Sequence, residues 1–218
     1  IRAILAGERS PLVLAQYRDP RCQKSEHEIA KSLAGNYRSE HLFALAQAFD
    51  LYSVYTTKIS ECDAEIETHY STFTPAIDLD EHPLPPPRRP PRQPLAFDLR
   101  TQLYRLTGVD LTQIDGIDSL TAQTIIAEIG TDMSPWPTAR HFASWLGLCP
   151  NNLVSGGKVL KRTSRKVVNP AATALRQAAQ SLSRSQSALG AFYRRMRTSH
   201  GPQVANKATA HKLARIIY

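Results

Sequence analysis

Eight prolines fall between residues 75 and 94, among them Pro85-Pro86-Pro87 and Pro90-Pro91. Each proline lacks a backbone N–H and holds φ near −65°, so this stretch is neither helix nor central strand. Its composition predicts an extended, semi-rigid spacer, with Arg88, Arg89 and Arg92 set among the prolines. The spacer, residues 75–95, divides the chain into two parts that must each find their own helices and core. Before it, residues 1–38 read as a remnant of a preceding region, in short helices broken at Pro11, Asp19-Pro20 and Gly35-Asn36. Residues 39–74 then carry one uninterrupted pattern. From Ser39, read as an N-cap, Leu42, Leu45, Phe49, Tyr52, Tyr55, Ile59, Cys62, Ile66 and Tyr70 follow at spacings of three and four. That is a single apolar stripe on a long helix, and nothing nearby in the sequence matches its length. The pattern calls for a partner helix, as in a coiled coil or a helical hairpin; packing on its own globular core is the competing reading.

After the spacer, residues 96–218 read as a compact helical domain. A short helix covers 97–107. The segment Ile114-Asp115-Gly116-Ile117-Asp118-Ser119 turns into an apolar helix that Gly130 closes, which resembles half of a helix-hairpin-helix. In a phosphate-binding hairpin of that kind a second glycine lets the backbone approach the anion. Asp118 stands in that place, so packing is the favoured use. His141–Gly147 is a short helix expected to send Phe142, Trp145 and Leu146 into the core. Another helix runs from Pro170 to Leu182, and a last one starts after Pro202. The only β-like run lies around Leu153–Leu160. The expected fold class is all-α.

Charge divides the chain even more sharply than proline does. The 86 residues from Met133 to Tyr218 contain 14 Lys or Arg and no Asp or Glu, whereas the first 132 contain 13 basic and 19 acidic residues. The net +8 is thus −6 followed by +14. Such a run costs self-repulsion, which a polyanion offsets. The cations sit among Ser, Thr, Asn and Gln rather than on an apolar face, which points to nucleic acid rather than a membrane. No run approaches the ~18 apolar residues of a membrane span, and no signal-peptide core is present. Cys22, Cys62 and Cys149 have no metal-ligand spacing and the seven His are scattered. The expectation is three free, mostly buried thiols in a reducing cytosol, and no metal site. The first residues lack an initiator Met and the last stop in mid-helix, so the chain reads as a fragment.

Within the basic half, Ser155-Gly156-Gly157-Lys158 places a hydroxyl beside a flexible, loop-shaping glycine pair. Lys158, Lys161, Arg162, Arg165 and Lys166 follow, five cations within nine residues. A serine with phosphate-holding cations suits phosphodiester chemistry, provided something takes its proton. Ser-Gly-Gly is also an ordinary flexible-loop sequence, so both readings stand on spacing alone. The segment is not a P-loop, because Asn152 replaces the first glycine and Val159 follows the lysine. With Arg176 and Arg184 on the next helix, the basic run is the candidate nucleic-acid surface. Arg194, Arg195 and Arg197 form a second cluster beside Phe192 and Tyr193, aromatics suited either to base stacking or to the core.

In this order the segments resemble a known family. Glu40-His41-Leu42-Phe43-Ala44-Leu45, Leu51-Tyr52, Phe97-Asp98-Leu99-Arg100, Thr107-Gly108-Val109-Asp110 and Ile114–Ile117 carry the likeness through the first two thirds. Leu146–Pro150, Ser155–Lys158 and Ala174-Leu175-Arg176-Gln177-Ala178-Ala179 complete it. The chain from about residue 20 onward is similar to bacterial insertion-sequence transposases that join an N-terminal DEDD nuclease-like domain to a C-terminal serine domain, the bridge-RNA-guided recombinases. The resemblance implies that Ser155 attacks a DNA phosphate through a transient phosphoserine link. It implies DNA and a guide RNA as partners, a homo-oligomer through residues 39–70, and action at the bacterial nucleoid in the cytoplasm. It also implies Mg²⁺ bound by the DEDD carboxylates. That nuclease-like domain is not found in these residues, so the fragment itself is expected to bind no cofactor and to be inactive alone. Two further function classes remain: a non-catalytic nucleic-acid-binding module with a dimerising helix, and a scaffold whose basic region holds an acidic protein.

Overall fold

The computed structural model describes residues 1–88, 97–161, 165 and 167–218. Among them the chain is mainly helical, as expected, and divides into two compact units, Ile1–Glu65 and Ile66–Tyr218.

The first unit opens with three short helices, α1 (Arg2–Leu5), α2 (Pro11–Ala15) and α3 (Glu26–Leu33). Ser25 starts α3 with a capping box: its hydroxyl accepts from the Glu28 amide while the Glu28 carboxylate accepts from the Ser25 amide. Leu14, Ala15 and Ala30 are the buried apolar residues here, a very small core. Helix α4 runs from Ser39 to Ser71, about 50 Å at ~1.5 Å per residue. Ser39 does not cap it. The Arg38 carbonyl already accepts from the Leu42 amide, and the Ser39 hydroxyl donates to Glu40 instead. No residue of α4 is buried; Phe43, Leu51, Tyr52, Val54, Tyr55 and Ile59 are each more than half exposed.

The second unit includes the last residues of α4 and the described part of the Pro-rich stretch. That stretch is hydrogen-bonded to residues further along the chain. The Ala76 amide donates to the Arg105 carbonyl, Arg100 donates to Pro85 O at 2.7 Å, and Gln113 donates to Pro86 O at 3.2 Å. The prolines leave their carbonyls without strand partners, and guanidinium and amide groups supply donors. The unit boundary consequently falls inside α4.

Next come α5 (Leu99–Thr107), a 3₁₀ turn at Leu111–Gln113, α6 (Ser119–Ile129) and α7 (Ala139–Trp145). A two-stranded hairpin follows, β1 (Leu153–Ser155) and β2 (Lys158–Lys161), then α8 (Pro170–Ser181), a 3₁₀ turn at Leu182–Arg184, α9 (Ala188–His200) and α10 (Pro202–Ile217). Helix α8 is central, with Ala171, Ala172, Ala174, Leu175, Ala178 and Ala179 all buried. Alanines at most of these positions allow α6 and α10 to approach it closely. Phe142, Ile125, Leu146, Leu148 and Leu213 fill the rest of the core.

Several expectations change at this level. Phe142 and Leu146 enter the core as expected, but Trp145 is 38% exposed and packs on Trp136 at 4.9 Å. The turn before α6 serves packing. Gly116 lies under α8 with no room for a side chain beside Ala178 O and Leu182, and Asp118 caps α6 through the Thr121 amide at 2.9 Å. Tyr193 is core, whereas Phe192 lies 4.6 Å from Lys212 Nζ and 5.8 Å from the Arg195 guanidinium. Arg194 is structural: it donates to the Ser183 and Ser185 carbonyls. The three cysteines are free thiols, yet Cys62 is exposed and Cys22 and Cys149 are only half-buried.

Candidate nucleic-acid interface

Expected as a loop, Ser155-Gly156-Gly157-Lys158 forms the tip of the β1–β2 hairpin. Gly156 and Gly157 both have positive φ, +53° and +77°. A two-residue turn of that kind matches the right-handed twist of paired strands, and only glycine enters it without steric cost. Both glycines face open space. In the register, Ser155 pairs with Lys158, Val154 with Val159 and Leu153 with Lys161, with an irregularity between Leu153 and Val154.

Directly paired residues share one face with Cβ atoms about 5 Å apart. The Ser155 and Lys158 side chains thus leave the same face of an exposed tip. Among the described residues nothing hydrogen-bonds to the Ser155 hydroxyl. No group of His, Cys, Asp or Glu among them gathers as a metal site, so the magnesium that the resemblance implies finds no ligand set here. The tip can position a phosphate between an alcohol and a cation; it offers no base to take the alcohol's proton.

The chain is packed again some residues before and after the hairpin. On one side Leu148 is 2% exposed, and on the other Val167 lies against Gly147. Asn169 then enters the core at the start of α8. Its side-chain oxygen accepts from the Ala172 amide at 2.9 Å, and its Nδ2 donates to Glu128 of α6 at 2.9 Å. Asn169 escaped the sequence reading, although Asn followed by Pro at N1 is a legible helix start.

The other candidate residues are dispersed. Arg165 is exposed, Arg184 is exposed in the 3₁₀ turn after α8, and Lys161 closes β2. Arg176 is half-buried on α8, its Nη2 2.9 Å from Thr173 Oγ1. Arg162 and Lys166 lie outside the described residues. Every ion pair among the described residues uses a base no later than Arg100. Several carboxylates of the second unit are occupied elsewhere: Asp98, Asp118 and Asp132 accept from backbone amides, and Asp110 binds Arg100. Among the described residues no cation after residue 132 enters an ion pair.

Residues 110–194 match the transposase IS116/IS110/IS902 family. The match supports an insertion-sequence transposase, a class of DNA-processing enzyme, over less than half of the chain. It takes in α6, α7, the hairpin with Ser155, α8 and most of α9, and it leaves out α4 and α10. Neither a curated protein nor a solved structure matches the chain. No helix among the described residues is long and apolar enough to cross a membrane.

Proposed function

We propose that this chain is the serine-bearing, nucleic-acid-gripping part of a transposase, and that Ser155 is its nucleophile. The observation that carries the reading is Ser155 itself, exposed on a hairpin tip opposite Lys158 and inside the family match. The serine oxygen forms a bond to a DNA phosphorus, and the bond from that phosphorus to one deoxyribose oxygen breaks. The serine proton leaves to a base and the departing sugar oxygen gains one, so the product is a phosphoserine link and a sugar hydroxyl. Lys158 and the neighbouring cations hold the phosphate and offset its charge as the transition state forms. The proton acceptor and any magnesium come from the nuclease-like partner domain, and the chain without it binds nucleic acid without exchanging strands. A guide RNA shares the basic surface with DNA, and α4 pairs with a second copy through its exposed stripe.

The test uses the protein carrying this chain together with the nuclease-like domain. After incubation with duplex DNA and denaturation in detergent, a covalent protein–DNA adduct is expected. Ser155→Ala should abolish the adduct and leave binding within about twofold, since a neutral hydroxyl contributes little to phosphate affinity. An adduct that persists in Ser155→Ala removes Ser155 from the role.

A second reading, a binding module with no covalent step, is favoured by the lack of any described base at Ser155. Intact binding with no adduct under any condition decides for it.

A further inference from the structure

The last helix carries cations that the hairpin reading leaves unused. Lys207, His211 and Arg215 recur every fourth residue along α10, on one side of the helix beside the buried Ala210 and Ala214. They cover ~12 Å of axis at 1.5 Å per residue. Helix α8 adds another cation at the same place: Asn206 donates from Nδ2 to the Arg176 carbonyl at 2.9 Å, which sets the next residue, Lys207, beside Arg176. Among the described residues no ion pair joins a carboxylate to any of them.

Folding has therefore set Lys207 and Arg176, both half-buried, close enough for their charges to oppose each other. Lys207 sits below the usual lysine range, because burial disfavours its ammonium and Arg176 repels it. His211 is likewise pushed down, by burial and then by Arg215, so at neutral pH it is an uncharged imidazole with an N–H to donate. A group of this kind is strained until an anion arrives.

We infer that α10, with Arg176 of α8, forms a second phosphodiester-binding line whose contacts are Lys207, His211, Arg215 and Arg176. A nucleic-acid strand rises ~3.4 Å per phosphate, so a ~12 Å row of two cations with an imidazole N–H between them spans about three successive phosphates. A linear row suits a polymer of regularly spaced charges better than a single acidic side chain. Apart from Arg176, the line lies beyond the residues that match the transposase family, and it rests on the nucleic-acid reading above while using residues apart from the hairpin.

The experiment measures binding of the full chain to a mixed-sequence 30-base-pair duplex across a range of salt concentrations. Each phosphate contact contributes about −0.9 to the slope of log K against log salt. Neutralising Lys207, Arg215 and Arg176 together as Lys→Gln and Arg→Gln should make the slope shallower by about 2 to 3. Swapping charge for charge, Lys207→Arg with Arg215→Lys and Arg176→Lys, should restore it. A Lys158→Gln/Arg165→Gln hairpin variant is measured alongside. A steep wild-type slope that the α10 variant leaves unchanged overturns the line and spares the hairpin reading, whereas a flat wild-type slope overturns both. Because the neutral variant removes partly buried side chains, a second measurement uses the unaltered protein. Duplex DNA should slow acylation of Lys207 Nζ by an amine-reactive ester at least severalfold. Equal labelling with and without DNA overturns the proposal, and so does protection by poly-glutamate alone.

Discussion

Replacing Arg100 by Met strands a buried carboxylate and should lower the melting temperature of the second unit by about 6–12 °C. The Asp110 side chain is 4% exposed and that of Arg100 is 14% exposed, so the pair is nearly withdrawn from water. Asp110 accepts from Arg100 Nη2 at 2.5 Å, from Thr112 Oγ1 at 2.6 Å, from the Thr112 amide at 3.1 Å and from Gln113 Nε2 at 3.0 Å. Methionine keeps most of the aliphatic stem and removes the guanidinium with its bonds to Asp110, Thr112 and Pro85, leaving three neutral donors around the carboxylate. Breaking a buried pair from one side costs about 3–5 kcal/mol, and the surviving hydrogen bonds place this case near 3 kcal/mol. In a unit of this size each kcal/mol moves the midpoint by about 2–4 °C. Trp136 and Trp145 both lie in the second unit, so their fluorescence reports its unfolding in heat or urea.

The same pair sets an acid limb. Burial pushes the Asp110 carboxyl up, but the hydrogen bonds from Arg100, Thr112 and Gln113 outweigh it and hold the group below the ordinary carboxylate range. A depressed carboxyl stabilises the fold above its unfolded value, about 3.9, and that contribution disappears as pH falls through the folded value. In Arg100→Met burial gains the upper hand and lifts the folded carboxyl above its unfolded value, so the sign reverses: Asp110 should cost stability at neutral pH and give part of it back as pH falls through the raised value. Asp110→Asn in the Met background should recover part of the stability by removing the stranded charge. A Met variant melting within about 2 °C of wild type, with its acid limb unmoved, would refute the assignment of a buried, coupled pair.

Two other substitutions test the packing of the helices. A Cβ at Gly190 would collide with the Ser185 carbonyl oxygen and lie 2.9 Å from Leu182 O, both backbone atoms, so Gly190→Ala should cost about 1–3 kcal/mol in urea unfolding; no loss would mean that α9 is free to shift. On α4, Leu51→Glu with Tyr55→Glu places charge in the exposed stripe and should reduce self-association at least tenfold in sedimentation velocity, roughly 1.4 kcal/mol. A wild-type chain that stays monomeric at high concentration would remove the second copy as the partner of α4.

Short-range signals were readable in the sequence wherever one element's own residues decide the outcome. The three-and-four spacing from Leu42 to Tyr70 gave α4, and Pro170 and Pro202 gave the starts of α8 and α10, because a helix turn involves only neighbours four residues away. Ser155 was legible as a hydroxyl beside two glycines, but not as a hairpin tip. Two glycines permit many loops, and strand pairing from Leu153 to Lys161 selected the turn with both φ positive. Trp145 shares the spacing of a core residue; only the packing of Trp136 shows that it stays at the surface.

By itself the sequence determined how charge is shared along the chain and where helices start and stop, since these depend on residue identity and local geometry. Tertiary structure decided which distant groups meet. Arg100 reaches Asp110 ten residues on, Asn169 reaches Glu128 across 41, and Asn206 brings Lys207 to Arg176 across 30. Such pairings follow from how α5, α6, α8 and α10 pack, and no local pattern carries that information. For the same reason the lack of counter-ions after Asp132 was visible in the sequence, while the alignment of uncompensated cations along α10 beside Arg176 came only with the fold.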